Sequence, residues 1–305
     1  MSDGDQRLLV HFSERARAGG AFLADALIDV FARRELRTSV MLRGAAGFGA
    51  GRQDIDVPAV AIAVDRAPRI AAALEDVRAL PRFGGLVTLE DVRKPADGGP
   101  VKATIFLGRH ERTDDGRPAA AAVVDLLRRH GVAGATVLLG VDGTVGGIRQ
   151  RARFVGANAR VPLMVVAVGD GGPIAAALAD LGALVAEPAV TVQPVRILKR
   201  DGRAPAALPD ANPTDRLKVM VFSSEHPDLL RALRAAGAAG ATSLRGAHGD
   251  RLLQLRRHVP SVTTIVDTPQ RIAHVFAAID AATAEAGLVT CEPCTAVAHG
   301  ATMAP

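Results

Sequence analysis

Apolar and polar positions follow a pattern that occurs three times along the chain. Each copy contains an apolar run that opens with Val-Pro and ends near an aspartate, and a proline follows that run. Apolar positions at helical spacing come next, and a short β-branched run closes the copy. This order predicts a strand, a helix and a second strand. The Val-Pro pairs are Val57-Pro58, Val161-Pro162 and Val259-Pro260, and the closing threonines are Thr88, Thr191 and Thr290.

A second shared pattern precedes each Val-Pro pair. It predicts a strand ending in phenylalanine, a helix rich in Ala and Leu, and a strand ending in Leu-x-Gly. The resulting order is typical of an α+β, ferredoxin-like βαββαβ plait, with both helices on one face of a four-stranded antiparallel sheet. The phenylalanines are Phe12, Phe106 and Phe222, and the triplets are Leu42-Arg43-Gly44, Leu138-Leu139-Gly140 and Leu244-Arg245-Gly246.

Two segments rich in proline, glycine and charge separate the three copies. Residues 94–100 form the first predicted linker, and residues 199–215 form a second that is long and rich in proline. Solvated linkers of this composition are typical of domain boundaries. The sequence therefore predicts three domains, at residues 7–95, 101–198 and 216–298.

The apolar runs show that one sheet face cannot be open to water. Residues 57–64 and 161–168 are apolar at every position, whereas a strand with one wet face should alternate. Two helices cover only one face of each sheet, so the other face must be buried as well. Three similar sheets can bury one another around a common axis. We predict a single-chain pseudo-trimer with sheets inward and helices outward; the alternatives are independent domains in a row, or trimerisation between chains.

Composition narrows the classes of partner. Lys and Arg number 37 against 32 Asp and Glu, for a net charge of +5, and only four of the basic residues are lysine. Because the basic residues are scattered and the chain has no Trp or Tyr, we expect no nucleic-acid partner. The N-terminus lacks a secretory pattern, and the apolar runs are too short to cross a bilayer. Two cysteines make no disulfide framework, so we expect a cytoplasmic protein. We expect it to be a monomer that acts as an internal pseudo-trimer.

Three segments of the first copy carry a family resemblance. Residues 40–49, the helix that begins near Pro68, and residues 85–92 resemble the uncharacterised PII-like family (domain of unknown function 190). That family belongs with the GlnB-like and CutA-like proteins. The third copy keeps Leu244-Arg245-Gly246, Gly249 and the closing Gly-Leu-Val-Thr. The second copy is degenerate, with Leu139 where the others have arginine.

The resemblance implies a fold and a mode of action. PII-like proteins are ferredoxin-like homotrimers that bind small effectors, often adenine nucleotides, in clefts between subunits. A long loop between the second and third strands contacts a protein partner, often a transporter or an enzyme. Three copies in one chain would replace the homotrimer here. The loop is shorter in the first and third copies, and the third copy has a shortened first helix, so we expect three unequal clefts.

Glycines beside arginines mark the candidate binding residues. Glycine lets backbone N–H groups approach an anion closely, and an arginine beside it can fork onto a phosphate. The family places a second turn opposite this one, at Gly84 and Gly85. The alternative is that these are ordinary turn glycines beside a solvated arginine. The predicted ligand-binding residues are Arg43, Gly44, Gly47, Phe48, Gly49, Gly84 and Gly85 in the first copy and Arg245, Gly246 and Gly249 in the third.

Catalytic and metal chemistry have weaker support. Cys291 and Cys294 form one Cys-x-x-Cys, which is half of a four-thiolate zinc site, and no second pair exists. His248 and His258 flank the loop of the third copy and would suit a metal-binding CutA-like protein. No nucleophile lies in a recognisable catalytic motif, and no Walker A motif is present. We expect neither enzymatic activity nor a cofactor, and we name no metal ligands.

These observations lead to one functional hypothesis and its alternatives. The chain is expected to be a PII-like regulatory protein that binds a small anionic effector in inter-domain clefts, with an adenine nucleotide as the first candidate. Binding would modulate a protein partner such as a membrane transporter. The alternatives are a structural scaffold with vestigial clefts and a metal-binding CutA-like protein.

Overall fold

The computed structural model describes most of the chain. Described are residues 4–49, 54–55, 57–81, 85–92, 98–132, 134–152, 160–186, 188–204, 206–209, 216–224, 227–246, 260–283 and 287–299. The first repeat contains β1 (Asp5–Ser13), β2 (Arg17–Ala18), β3 (Ala21–Phe22), α1 (Leu23–Arg33), β4 (Thr38–Arg43), β5 (Ala46–Phe48), β6 (Asp54–Ile55), β7 (Pro58–Arg66), α2 (Ala67–Arg78) and β8 (Leu86–Asp91).

The second and third repeats follow the same order of main elements. The second contains β9 (Pro100–Gly108), α3 (Ala119–Arg129), β10 (Ala135–Val145), β11 (Ile148–Arg149), β12 (Pro162–Asp170), α4 (Gly171–Asp180), a 3-10 turn (Leu181–Ala183), β13 (Ala189–Pro194) and β14 (Arg196–Arg200). The third contains β15 (Arg216–Ser224), α5 (Pro227–Ala235), β16 (Ala241–Arg245), β17 (Pro260–Asp267), α6 (Pro269–Ala282) and β18 (Leu288–His299).

Each repeat orders its four main strands in the same way. The first and third strands lie in the middle, and the second and fourth lie on either side. The orders are β4-β7-β1-β8, β10-β12-β9-β13 and β16-β17-β15-β18, and every pairing is antiparallel. The predicted element order and the antiparallel sheet are therefore confirmed.

Helices of each repeat pack on its own strands and form a separate core. In α1, Leu27, Val30 and Phe31 are buried against Leu8 and Val10 of β1, because helical spacing places them on one face. The two helices of the second repeat and those of the third enclose two similar cores. Proline in the first turn, as at Pro68 and Pro269, suits a position where the backbone N–H has no helical partner.

The opposite face of the sheet is also buried. In β7, Ala59, Ala61 and Ala63 pack in the core of the first repeat, while alternate residues point to the other side. Those alternate residues join an apolar cluster to which all three repeats contribute, including Val60 and Ile62, Met164 and Val166, and Val262. This cluster explains why the strands that open with Val-Pro are apolar at every position.

Strand pairing also links the repeats to one another. The end of β10 pairs with β4, β5 pairs with β16, β8 pairs with the end of β18, and β14 pairs with the beginning of β18. Within the described residues, sixteen strands thereby form one sheet.

Three details of the sequence analysis were wrong. β10 runs through Gly140 to Val145 instead of ending at Leu-x-Gly. The linker predicted at residues 199–215 begins inside β14, where Lys199 is buried. Phe12 pairs with Ala59 and Ser223 pairs with Ser261, and each partner directly follows the proline of a Val-Pro pair. Phe12 is therefore equivalent to Ser223 and not to Phe222, so phenylalanine does not mark equivalent strand ends. In the first two cases the pairing partner is a strand of another repeat, β4 or β18, which a single copy of the pattern does not contain.

In the part of the chain that the structure describes, we find no helix with the length and apolar character needed to cross a membrane.

Candidate functional site

The glycine-rich segment after β4 forms a strand rather than an open loop. Residues Ala46–Phe48 make up β5, which pairs with β16 of the third repeat, Phe48 lying opposite Ala241. The Phe48 side chain is 2% exposed and belongs to the core of the third repeat. The guanidinium of Arg234 lies 5.0 Å from the centre of its ring. This segment therefore fastens the first repeat to the third.

Glycine is required here because two backbones approach closely. A Cβ atom at Gly44 would lie 2.5 Å from Pro58 Cγ and 3.0 Å from the carbonyl oxygen of Ser243. At Gly47 it would lie 2.7 Å from the carbonyl oxygen of Ala241. Real Cβ atoms do not approach so closely, so packing alone accounts for both glycines.

The second repeat uses its glycines in the same way. Gly140 and Gly143 occupy the positions of Gly44 and Gly47, and a Cβ atom at Gly143 would lie 2.2 Å from the carbonyl oxygen of Ser39. A spacing of Leu-x-Gly-x-x-Gly is shared by all three copies, so the second copy keeps this feature despite its Leu139. Among the described residues, these shared glycines thus lie at contacts between repeats.

The remaining predicted residues lie at the same end of the sheet or outside the residues that the structure describes. Arg43 is 57% exposed in its side chain, and its Nη2 donates to Glu14 Oε2 at 2.8 Å. Gly85 has φ +158° and lies against the carbonyl oxygen of His11. Gly246 packs on Thr136 of the second repeat and follows the exposed Arg245. Gly49 follows β5; Gly84, Gly249, His248 and His258 lie outside the described residues.

A large cavity lies beside β14, where sequence analysis placed no site. Its volume is about 820 Å³, within the range of small-molecule pockets. Its lining combines the start of β9 with three arginines of β14 and the turn that follows it. Lining residues are Pro100, Val195, Arg196, Ile197, Arg200, Asp201, Arg203 and Ala206.

A tight hairpin turn brings two of these arginines together. Asp201 and Gly202 have φ of +48° and +75°, and backbone N–H groups of Arg200 and Arg203 each donate to the other's carbonyl oxygen. Asp-Gly between paired residues is a strong signal for such a turn, which sequence analysis overlooked inside the linker. Within the described residues, neither guanidinium has a carboxylate within 4 Å, so both are available to an anion.

A second charged cluster lies where the three repeats meet. Register places Arg7 opposite Glu90, Lys102 opposite Gln193, and Lys218 opposite Glu292. All six are buried, and we call them the axial ring. Each basic side chain bonds to the acceptor of another repeat: Arg7 to Gln193 at 2.5 Å, Lys102 to Glu292, and Lys218 to Glu90.

Burial and neighbouring charges shift the pKa values in this ring. Burial, followed by the nearby charges of Lys218 and Arg7, lowers the pKa of Lys102 to about 7, although Glu292 opposes the shift. Burial acts against ionisation of Glu90, but the charges of Lys218 and Arg7 outweigh it and hold its pKa well below the usual range. Burial likewise lowers the pKa of the neighbouring His11 to about 4.

The cysteines lie in β18 as buried thiols. Cys291 and Cys294 are free, and burial raises the pKa of each to about 12. Metal ions bind the thiolate form, which this environment disfavours. The described residues include no cluster of three or more His, Cys, Asp or Glu that could hold a metal ion.

Comparison with known proteins identifies the family. The model of the family DUF190, described as "Uncharacterized ACR, COG1993", matches residues 5–94, 101–197 and 223–296. The chain therefore belongs to this uncharacterised family and contains three copies of its domain. No curated protein matches the sequence significantly.

Two solved structures show only a weak similarity to this chain. An anthrone oxidase-like protein is 12% identical, and the match covers 63% of this chain and 91% of that one with a TM-score of 0.19. A mutant of the ferredoxin protease FusC in complex with Arabidopsis ferredoxin is 9% identical, covering 93% of this chain and 62% of that one with a TM-score of 0.21. Both scores are too low to indicate a shared fold.

Proposed function

We propose that this chain is a PII-like regulatory protein built as a single-chain pseudo-trimer. Its units at residues 7–95, 101–198 and 216–298 would be ferredoxin-like plaits, with sheets inward and helices outward. Three observations support this arrangement: one strand order in every repeat, an apolar cluster shared by the inner sheet faces, and the axial ring whose bonds pass from repeat to repeat.

The effector would be a small anion, with an adenine nucleotide as the leading candidate. The main support for this proposal is the cavity of about 820 Å³ with Arg196, Arg200 and Arg203 in its wall. A guanidinium group can donate two parallel hydrogen bonds to the oxygens of one phosphate. The hairpin turn holds two such groups, those of Arg200 and Arg203, close together. β14 pairs with β18, so occupancy of this cavity would reach the junction of the second and third repeats.

A protein partner would meet the hairpin of β10 and β11. The family places partner contact in the loop between second and third strands, which is longest in this repeat. Val145 is 41% exposed and Ile148 64% exposed in this hairpin. Exposed apolar side chains at the tip of a hairpin suit an interaction surface. A membrane transporter is the class of partner that the family suggests, and no catalytic step is proposed.

Thermal shift against ATP, ADP, AMP, cyclic nucleotides and simple anions tests the effector. A ligand at about 100 times its Kd should stabilise the protein by about 2.7 kcal/mol, which raises the melting temperature by several degrees. We expect Arg200→Ala with Arg203→Ala to abolish the shift. Arg128→Ala, which removes an exposed arginine of α3, is the control and should keep it.

Two outcomes would redirect the proposal. If Arg43→Ala with Arg245→Ala abolishes the shift and the β14 variants do not, the effector binds at the ends of β4 and β16. A melt that no compound shifts would favour the scaffold, in which only the partner surface matters.

A further inference from the structure

The axial ring contains one more positive charge than negative. Its basic members are Arg7, Lys102 and Lys218, and its carboxylates are Glu90 and Glu292. The third acceptor position holds the neutral Gln193, whose Oε1 accepts from Arg7 and whose Nε2 donates to Glu90 at 3.2 Å. An unbalanced charge in a buried site is costly unless another group compensates it.

A small cavity adjoins this excess charge. Its volume is about 30 Å³, above the roughly 10–15 Å³ that one water molecule requires, and too small for a nucleotide. All three basic side chains of the ring line it, whereas no carboxylate is found among its described lining residues. The rest of the wall is mainly apolar and is contributed by all three repeats, as by Leu9, Leu138 and Met220.

Hydrogen-bond donors without partners in the wall of this cavity suggest that it binds a small ligand. Thr104 is fully buried and lines the cavity, and its hydroxyl has no hydrogen-bond partner among the described residues. Nε of Arg7, another lining residue, also lacks one there. Guanidinium N–H and hydroxyl groups donate to anions, and buried donors without acceptors are uncommon in folded proteins.

We propose that one monovalent inorganic anion, a halide such as chloride, binds in this axial cavity. The anion neutralises the excess charge and accepts hydrogen bonds from the unpartnered donors. It touches residues of all three repeats, so it contributes to holding them together. A polyatomic anion such as phosphate does not fit the volume.

Loss of a proton from Lys102 is the competing way to balance the ring. The charged groups around its ammonium are Glu292, Lys218, Arg7 and Glu90, and Met220 Sδ lies 3.9 Å from Nζ. If Lys102 were neutral, a water molecule in the cavity would suffice. The two possibilities differ in their response to halide at constant ionic strength.

Melting temperature in sodium chloride and in sodium gluconate, after dialysis at equal ionic strength, separates them. Gluconate is too large for the cavity, so a halide site predicts a saturable rise of a few degrees in chloride alone. Gln193→Glu supplies the missing carboxylate and Lys102→Met removes the extra cation, so each should abolish that rise. Arg128→Met on the surface is the matched control and should retain it.

Equal melting in both salts would overturn the proposal, as would a rise that survives in Gln193→Glu and Lys102→Met. Should neither variant fold, wild-type crystals grown in bromide decide the question. An anomalous peak between Arg7, Lys102 and Lys218 supports the anion site, and its absence refutes it.

Discussion

Single residues show how the three repeats have diverged around a shared plan. Strand register makes His11 the equivalent of Phe106 and Phe222, at the same position relative to each Val-Pro proline. The first repeat thus places a titratable ring where the others place an apolar one. Nε2 of His11 is buried without a partner among the described residues, so its protonation in the folded state is opposed.

Replacing His11 with phenylalanine should reduce the acid sensitivity of the protein. Burial lowers its pKa from 6.5 to about 4, so the unfolded chain binds a proton that the folded chain resists. Stability is therefore lost as pH falls from about 6.5 to about 4. We expect His11→Phe to recover about 1–3 kcal/mol of this loss, measured by urea denaturation at pH 7.5 and 4.5.

Exposed His274 on α6 provides the control. His274→Gln should keep the wild-type difference between the two pH values. An equal difference in wild type and His11→Phe would show that His11 does not cause the acid sensitivity.

At the scale of elements, β5 matters more than its three residues suggest. It belongs to the first repeat, yet Phe48 fills the core of the third. Removing a buried phenylalanine ring costs about 3–5 kcal/mol. We expect Phe48→Ala to lower the free energy of unfolding by that amount. We also expect faster amide hydrogen exchange in β16 and α5, with α3 unchanged.

Phe22→Ala is the matched comparison, because Phe22 is 46% exposed and contacts Arg17 at its surface. It should cost less than about 1 kcal/mol. If both variants lose the same stability, β5 does not anchor the third repeat.

Elements within a repeat were predictable from sequence, whereas contacts between repeats were not. The run from Val57 to Val64 predicted a strand buried on both faces because every position is apolar, and β7 confirms it. A glycine in the sequence indicates that another group approaches the backbone closely, but it does not identify that group. At Gly47 the group is the neighbouring strand β16, whereas the sequence analysis expected an anion. The three bonds of the axial ring that pass from each basic side chain to another repeat join residues 186, 190 and 128 positions apart. Its signal was the presence of Lys102 and Lys218 within apolar strands.

For the whole molecule, the proposed pseudo-trimer makes a specific prediction about mass. The inner faces of all three sheets already meet in a shared apolar cluster, and the axial ring completes its hydrogen bonds between repeats of the same chain. In such a pseudo-trimer the three sheets cover one another within a single chain, so no second copy is required to bury them. We expect a mass of about 31.6 kDa by light scattering across a wide concentration range.

A mass three times larger would contradict the pseudo-trimer and favour assembly between chains. Dilution separates the two cases further, since burial within one chain does not depend on concentration whereas assembly does. Glu90→Gln sharpens the comparison, because it removes the carboxylate that Lys218 of another repeat requires. In a pseudo-trimer this variant should lower the melting temperature without changing the mass, because a weakened contact between repeats cannot release a subunit that the backbone still joins.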